Sequence, residues 1–343
     1  MSAQPQQRRG DDRRLHRVSR LHYPALMLRK LARTSIGITG IHTMDGLRAG
    51  ARQGLFGGQR RISIALYEQA VREDNADELT AEILERFGDD RGAYKRTYSD
   101  RFREFDRRSL DILRDNFSPD RPLKVHDVAV SDGRTAVDFF ELLAPVFPLL
   151  EFTASDYSNS IKIVEALGGS AAFSESGEPL EMTWPPFVHN LSKRENWKAY
   201  PINFVHEWLA LNTLLPLARA RLKRGMARTV SLHCQRAIDL QRSDARFSMT
   251  GHDLLGPFRA TDLDAVRAMN VLHGGYFTPG QTAAIASHVL RGLKDGGVFI
   301  IGRNQGSDSP VSGSIYRKAG NTFSLLWHSG DCEVEPMILE AAV

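Results

Sequence analysis

The segment Leu123-Lys124-Val125-His126-Asp127-Val128-Ala129-Val130-Ser131-Asp132-Gly133-Arg134-Thr135 decides how the chain is read. Residues 123–130 form a short apolar run suited to a parallel strand, and TAVDFFELLAPVF after the turn has helical period. Between them Ala129, Ser131 and Gly133 put small residues at alternate positions behind the acidic Asp127. A turn with so little side chain lets backbone approach a ribose or an amino-acid tail. Asp127, at the strand end, is placed to accept a hydrogen bond from an ammonium group, directly or through water.

Outward from this turn the chain alternates. EFTASD is the next strand and ends on Asp156, whose carboxylate can accept both hydroxyl protons of a ribose or cap the helix that follows. NSIKIVEAL reads as that helix. FSMTGHDLL (with Asp253), DLDAVRAMNVL and GVFIIGR read as further strands, with the helix GQTAAIASHVLRGLK before the last. SGSIYRKAG and NTFSLLWHSG follow with no helix between them. The expected fold is therefore α/β, a doubly wound, mostly parallel sheet with a C-terminal antiparallel hairpin.

Two regions stand outside this alternation. Residues 1–20 are Arg-rich and read as a disordered, solvated basic tail, with a nucleic-acid or anionic-lipid arm as the alternative. They hold no aromatic residue to stack on bases. Residues 21–121 read as a helical N-terminal cap. Its first part, LHYPALMLRKLAR, is either a core-packing or an interfacial amphipathic helix. Farther on, Ile64, Leu66, Val71, Leu79, Ile83 and Leu84, then Phe102, Phe105, Leu110, Ile112 and Leu113, recur at helical steps, with Asp106, Arg107 and Arg108 on the opposite face. Residues 122–343 form the main domain, with an insertion after the second strand at about 168–240. The insertion carries a hairpin turning at Ser176-Gly177 and the apolar helix INFVHEWLALNTLLPLARARLKRG, expected over the C-terminal strand edge. There Phe204, Trp208, Leu209, Leu211, Leu214 and Leu215 either roof a pocket or pack on the sheet.

Composition narrows the function classes. A hydrophobic content of 42% and a charged content of 25% fit a globular protein, and a net charge of +4 is small for 343 residues. Cys234 and Cys332 stand far apart, which leaves no disulfide framework and no thiolate metal site; the eleven His residues form no HExxH. No metal is expected. No apolar run approaches the ~20 residues of a spanning helix, so no transmembrane segment is expected, with peripheral membrane contact left open. Without a secretory signal, a cytoplasmic location is expected.

The turn, its acid and the order of the later strands resemble class I (Rossmann-like) S-adenosylmethionine-dependent methyltransferases. Leu293-Lys294-Asp295-Gly296-Gly297 is similar to that family's L-x-x-G-G entry into the fifth strand. The resemblance implies S-adenosyl-L-methionine as cofactor, held by Asp127, Ala129, Ser131, Gly133, Asp156, Tyr157, Asp253, Leu254 and Asn270. Two of the family's glycines are here Ala129 and Ser131. Asp264-Ala265-Val266-Arg267-Ala268-Met269-Asn270-Val271-Leu272-His273 is also similar to plant-type O-methyltransferases, which implies His273 as general base. The acids that follow in that family are replaced by Gly274-Gly275-Tyr276, and a His that only caps the strand or lines the pocket is the competing reading. Tyr157 and Tyr276 are further acceptor-positioning candidates. Asn270-Val271-Leu272 with Tyr276-Phe277 and the insertion resemble chemotaxis receptor glutamate methyltransferases, although the Phe-Phe-Arg and Gly-Glu-Glu signatures are missing.

The expected activity is methyl transfer to a small-molecule or lipophilic acceptor, with nucleic acid not expected as a partner. Protein carboxyl methylation and a non-catalytic binding module are the alternatives. A dinucleotide dehydrogenase would want G-x-G-x-x-G, and Asp127 and Asp132 would repel a pyrophosphate.

Overall fold

Two sheets organise the chain in the computed structural model, which describes residues 38–49, 60–88, 98–191, 200–304 and 310–341. The expected tail and the LHYPALMLRKLAR stretch lie outside the described residues. The first elements are α1 (Met44–Arg48), α2 (Tyr67–Ala70, continuing a 3-10 turn), α3 (Ala76–Arg86) and α4 (Arg103–Asn116). Next come β1 (Leu123–Val128), α5 (Arg134–Leu143) and β2 (Leu150–Asp156). The insertion holds β3 (Ser160–Ala166), β4 (Gly169–Phe173), β5 (Pro179–Trp184), β6 (Phe187–Asn190), α6 (Pro201–Asn212), α7 (Leu214–Lys223) and β7 (Arg228–Ser231). The chain then runs through α8 (Gln235–Ser243), β8 (Phe247–Gly251), β9 (Leu263–Met269), α9 (Pro279–Gly292), β10 (Leu293–Arg303), β11 (Ser312–Ala319), β12 (Thr322–Ser329) and α10 (Glu335–Leu339).

The first sheet has the order β12-β11-β10-β9-β1-β2-β8. Its five strands from β10 to β8 are parallel, and β11 and β12 add as an antiparallel pair. Helices α4 and α5 bury Phe105, Leu113, Val137 and Phe140 against one face, where Val125, Phe152 and Ile300 point. Helix α9 buries Ile285, Val289 and Leu290 against Val266 and Phe299 on the other. A full capping box at Thr278 and Gln281, with Pro279 as first helical residue, fixes where α9 starts. The sheet is thus doubly wound, closed by the expected hairpin. From β1 the chain winds outward to β2 and β8, then returns to β9 on the other side. That reversal makes a crevice at the C-terminal ends of β1 and β9, where open α/β sheets bind ligands.

The second sheet, ordered β6-β5-β4-β3-β7, is wholly antiparallel, and with its helices it corrects four expectations. NSIKIVEAL is not a helix: residues 160–166 are β3. Leu167 (φ +50°) and Gly168 (φ +71°) form a two-residue hairpin turn that sets Ala166 opposite Gly169. Positive φ at both positions matches the turn to the twist of the strands, and the β-branched Ile161, Ile163 and Val164 suit the sheet. The inserted sheet therefore begins at Ser160 rather than near residue 168. The long apolar helix is also two helices. Pro216, in the first turn of α7, has no N–H to offer and would clash with the carbonyl of Asn212, so the chain breaks at Thr213. Helix α7 packs on β3 and β4, whereas α6 lies against α7 and β6, at the sheet edge opposite β7, rather than over the C-terminal edge of the parallel strands.

The N-terminal helices pack mainly on the insertion. Ile64, Tyr67, Ile83 and Leu84 share a core with Ile161, Ile163, Leu180 and Val230 of the second sheet, and the Tyr67 hydroxyl donates to the Leu232 carbonyl at 2.8 Å. Helix α4 is the exception, belonging to the first sheet. Asp106, expected on its exposed face, is buried there.

Candidate functional site

The β1–α5 turn takes, at alternate positions, a backbone that glycine adopts most readily. Ala129 (φ +57°), Ser131 (φ +61°) and Gly133 (φ +89°) are all left-handed, so the alternation of small residues in the sequence is an alternation of backbone conformation. For Ala and Ser such a conformation costs on the order of 1–3 kcal/mol, held only where surroundings over-determine it. Three contacts do so. The Val130 N–H donates to the Ser155 carbonyl (3.1 Å), the Gly133 N–H to the Val130 carbonyl (3.0 Å), and the Ser131 N–H to Asp156 Oδ2 (2.7 Å). Gly133 is additionally confined, because a Cβ there would stand 2.7 Å from Met249 Cε. The Ser131 hydroxyl is buried without a partner. The N–H groups of Val130, Ser131 and Gly133 are thus all engaged within the protein, and what the turn leaves open is its lack of side-chain bulk.

Asp156 ends β2 beside this turn and accepts from the Ser158 N–H through Oδ1 (3.1 Å). Its carbonyl accepts the His252 N–H (3.1 Å), which draws the residues after β8 to the same edge. Asp253 caps its own turn there, its Oδ1 accepting from Leu255 N–H at 3.0 Å and its main-chain carbonyl from Gly256 N–H at 2.8 Å. Leu254 is buried in the core against α9, and Tyr157 is largely exposed. The turn, Asp156 and the 252–254 segment are therefore together at one strand edge.

Asp127 is not open at that edge. It is 1% exposed and lies on the face covered by α4 and α5, where Oδ2 accepts from Arg267 Nη1 at 2.6 Å. Residues 127 and 267 are register partners on β1 and β9. Arg267 also donates to both oxygens of Asp106 (2.8 and 3.1 Å from Nη2), with the Phe139 ring centre 4.6 Å from its guanidinium carbon. Burial pushes the Asp127 carboxyl up to about 6 and that of Asp106 up to about 7, against the pull of Arg267. The carboxylate expected to meet an ammonium group is thus closed in an internal ion pair. Asp132 is likewise paired, with Arg134 at 2.7 Å, and Arg134 donates onward to the Asp77 carbonyl and the Thr80 hydroxyl of α3. Repulsion by these two acids is consequently no argument against a phosphate; the missing glycines remain one.

Asn270 directly follows β9, at φ +56°. Its side chain makes a reciprocal pair with Asn304, accepting from the Asn304 N–H at 2.8 Å and donating to Oδ1 at 2.7 Å. Arg101 and Tyr98, ahead of α4, join the same group through Asn304. The sequence reading missed these three residues, since nothing local marks a contact across two hundred positions. His273 stands farther along the edge. Its Nδ1 accepts the Gly275 N–H at 3.0 Å, which in the neutral ring leaves the proton on Nε2, and its ring centre is 4.4 Å from that of Tyr276. Burial and then Arg303 lower its pKa, while Glu333 opposes them. A neutral imidazole so held donates from Nε2, and its basic nitrogen is already engaged. Beside it, a cavity of about 700 Å³ opens at the end of β10, lined by Leu272, Ile301, Arg303, Ser312, Cys332 and Glu333. Glu333 ties it to the His273 turn by accepting the Gly274 N–H at 2.5 Å. Among the described residues no His, Cys, Asp and Glu group could hold a metal ion, and no helix is long and apolar enough to cross a membrane.

No protein-family model and no curated protein sequence matches the chain. Solved structures do show likeness. They include phosphoethanolamine N-methyltransferase 2 from Haemonchus contortus with S-adenosyl-L-methionine (13% identity, 57% of this chain and 28% of that one, TM-score 0.28). An O-methyltransferase family protein from Burkholderia thailandensis is 12% identical over 69% of this chain and 44% of that one (TM-score 0.29). An amino pentose methyltransferase from Micromonospora echinaspora, with its cofactor bound, is 12% identical over 62% of each chain (TM-score 0.28). The chain thus spans 28–62% of the length of these three proteins.

Proposed function

We propose that the chain is an S-adenosylmethionine-dependent methyltransferase acting on a small or lipophilic acceptor. One observation carries the reading: left-handed backbone at Ala129, Ser131 and Gly133, latched to the Asp156 carboxylate at the switch point of a doubly wound sheet. The orphaned Ser131 hydroxyl fits a cofactor whose amino-acid tail and ribose lie against this turn. Asp156 would accept from the ribose, and the 252–254 segment would flank the base. The methionine end would then point toward Asn270 and Asn304. S-adenosylmethionine supplies a methyl group activated by its sulfonium. The protein's own task is to align the acceptor for in-line transfer and to keep water away. The cavity beside β10 lies two strands from the turn, about 10 Å by strand spacing, and is where an acceptor would enter. His273 would hold the acceptor by donating from Nε2 rather than by removing a proton.

Calorimetry on the purified chain tests this reading. S-adenosylmethionine or its demethylated product should bind, and Asp156→Ala should lose about 1.5–3 kcal/mol, roughly ten- to a hundredfold in affinity. Absence of binding at millimolar cofactor would leave a non-catalytic module as the better account.

A further inference from the structure

Helix α6 is built inside out. Its buried side is Asn203, Glu207 and Ala210, whereas Ile202, Phe204, Val205, Trp208 and Leu209 face outward, Val205 56% and Trp208 58% exposed. At the pitch of an α-helix these five cover an arc of about 160°, in which the one polar residue is Asn212 at the helix end. Polar contacts fix this orientation. Asn203 accepts the Ile38 N–H at 2.7 Å and donates to the Ile38 carbonyl at 2.9 Å, and His206 is bonded to His189 of β6 at 2.9 Å. Turning the apolar arc inward would break all three. A contiguous apolar face of this kind marks an interaction surface.

Charge selects the partner. Residues 192–199, which lead into α6, carry Lys193, Arg194 and Lys198 against Glu195. The chain ahead of Ile38 carries nine Arg and Lys residues against Asp11 and Asp12, and Ile38 is tied to α6 itself. The helix's one acid, Glu207, is buried. Two copies meeting on this face would each bring that excess of positive charge. The chain's own N-terminal segment lying on it would find no acid there. A bilayer with anionic headgroups suits both features: apolar side chains enter the headgroup–acyl boundary, an indole is favoured there, and basic residues meet phosphate. We propose that the outer face of α6 docks this protein on an anionic lipid surface.

The test uses the full chain with vesicles of phosphatidylcholine, with and without phosphatidylglycerol. Co-sedimentation is expected with the anionic vesicles alone and should weaken as salt rises. Trp208 emission, taken as wild type minus Trp208→Phe, should shift to the blue on binding. Val205→Glu with Leu209→Glu alters exposed positions only, so melting should be unchanged while vesicle affinity falls about tenfold or more. Arg29→Gln, Lys30→Gln and Arg33→Gln together should reduce the preference for anionic lipid. A folded chain that ignores anionic vesicles overturns the proposal. So does a dimer that the double Glu variant splits, which assigns the face to a second copy. Stronger vesicle binding after deletion of residues 1–37 would assign it to the chain's own segment.

Discussion

At Ala129 and Ser131 a methyl and a hydroxymethyl group sit on backbone that glycine adopts freely. Ala129→Gly should therefore be neutral or stabilising within about 1 kcal/mol, relief of strain being offset by the freer unfolded chain. Gly133→Ala combines positive φ with the approach to Met249 and should lose more than about 2 kcal/mol. Urea denaturation of both variants checks this; similar losses at the two positions would contradict the strained-turn account. The sequence displayed the small residues because their spacing is local. It did not display what Asp127 does, because the register that sets it beside Arg267 is a property of the folded sheet. An acid at a strand end looks the same whether it faces a crevice or a helix layer.

Among the elements, α4 is joined to the first sheet by the Asp106–Arg267–Asp127 cluster as well as by apolar packing. Removing the shared cation leaves two buried carboxyls facing each other, so Arg267→Met should destabilise by about 3–5 kcal/mol. Asp127→Asn should lose far less, since Asp106 keeps both of its contacts to Arg267. If Asp127 is structural, that variant should also keep its affinity for S-adenosylmethionine, measured by calorimetry beside Asp156→Ala. Most of the parallel strands were legible because they are largely buried runs with turn residues after them, whereas β8, with only Phe247 buried, was legible by its place in the order. Residues 160–166 were not, because Ile161, Val164 and Leu167 also recur at helical steps. Antiparallel partners on both sides, β4 and β7, and the Leu167-Gly168 turn decide for a strand.

Across the molecule, buried titratable groups set the pH response. His126 and His189 are held neutral by burial, with pKa values pushed down to about 3. Each binds its proton more readily when unfolded, so each contributes stability that is full above the ordinary 6.5 and is lost as pH falls toward 3, by up to about 1.4 kcal/mol per unit. Asp106 and Glu181, raised to about 7, and Asp127, raised to about 6, act oppositely: their folded forms hold the proton, so they favour folding as pH falls through 7 to the ordinary carboxylate range. The two sets offset each other between about pH 6 and 4.5, and below pH 4 the histidines are joined only by surface carboxylates such as Glu73, Asp244 and Glu333, which hydrogen bonds hold below their ordinary range. Denaturation midpoints should stay nearly level and then drop steeply. A drop of the same steepness in His126→Gln with His189→Gln would rule out this origin. The second sheet was legible only as a surplus of residues after β2, since its pairings and its N-terminal cover are all long-range.

The cover that α2 and α3 give the inserted sheet also bears on how the chain is made. Tyr67 leaves the ribosome 165 residues before its partner Leu232. At 5–20 residues per second the nascent N-terminal helices wait about 5–20 s for Ile161 and about 10–30 s for Leu232, with Ile64, Ile83 and Leu84 exposed to water until these partners are made. Translation speed and chaperone supply, more than the stability of the finished protein, would then govern how much of it is recovered in soluble form.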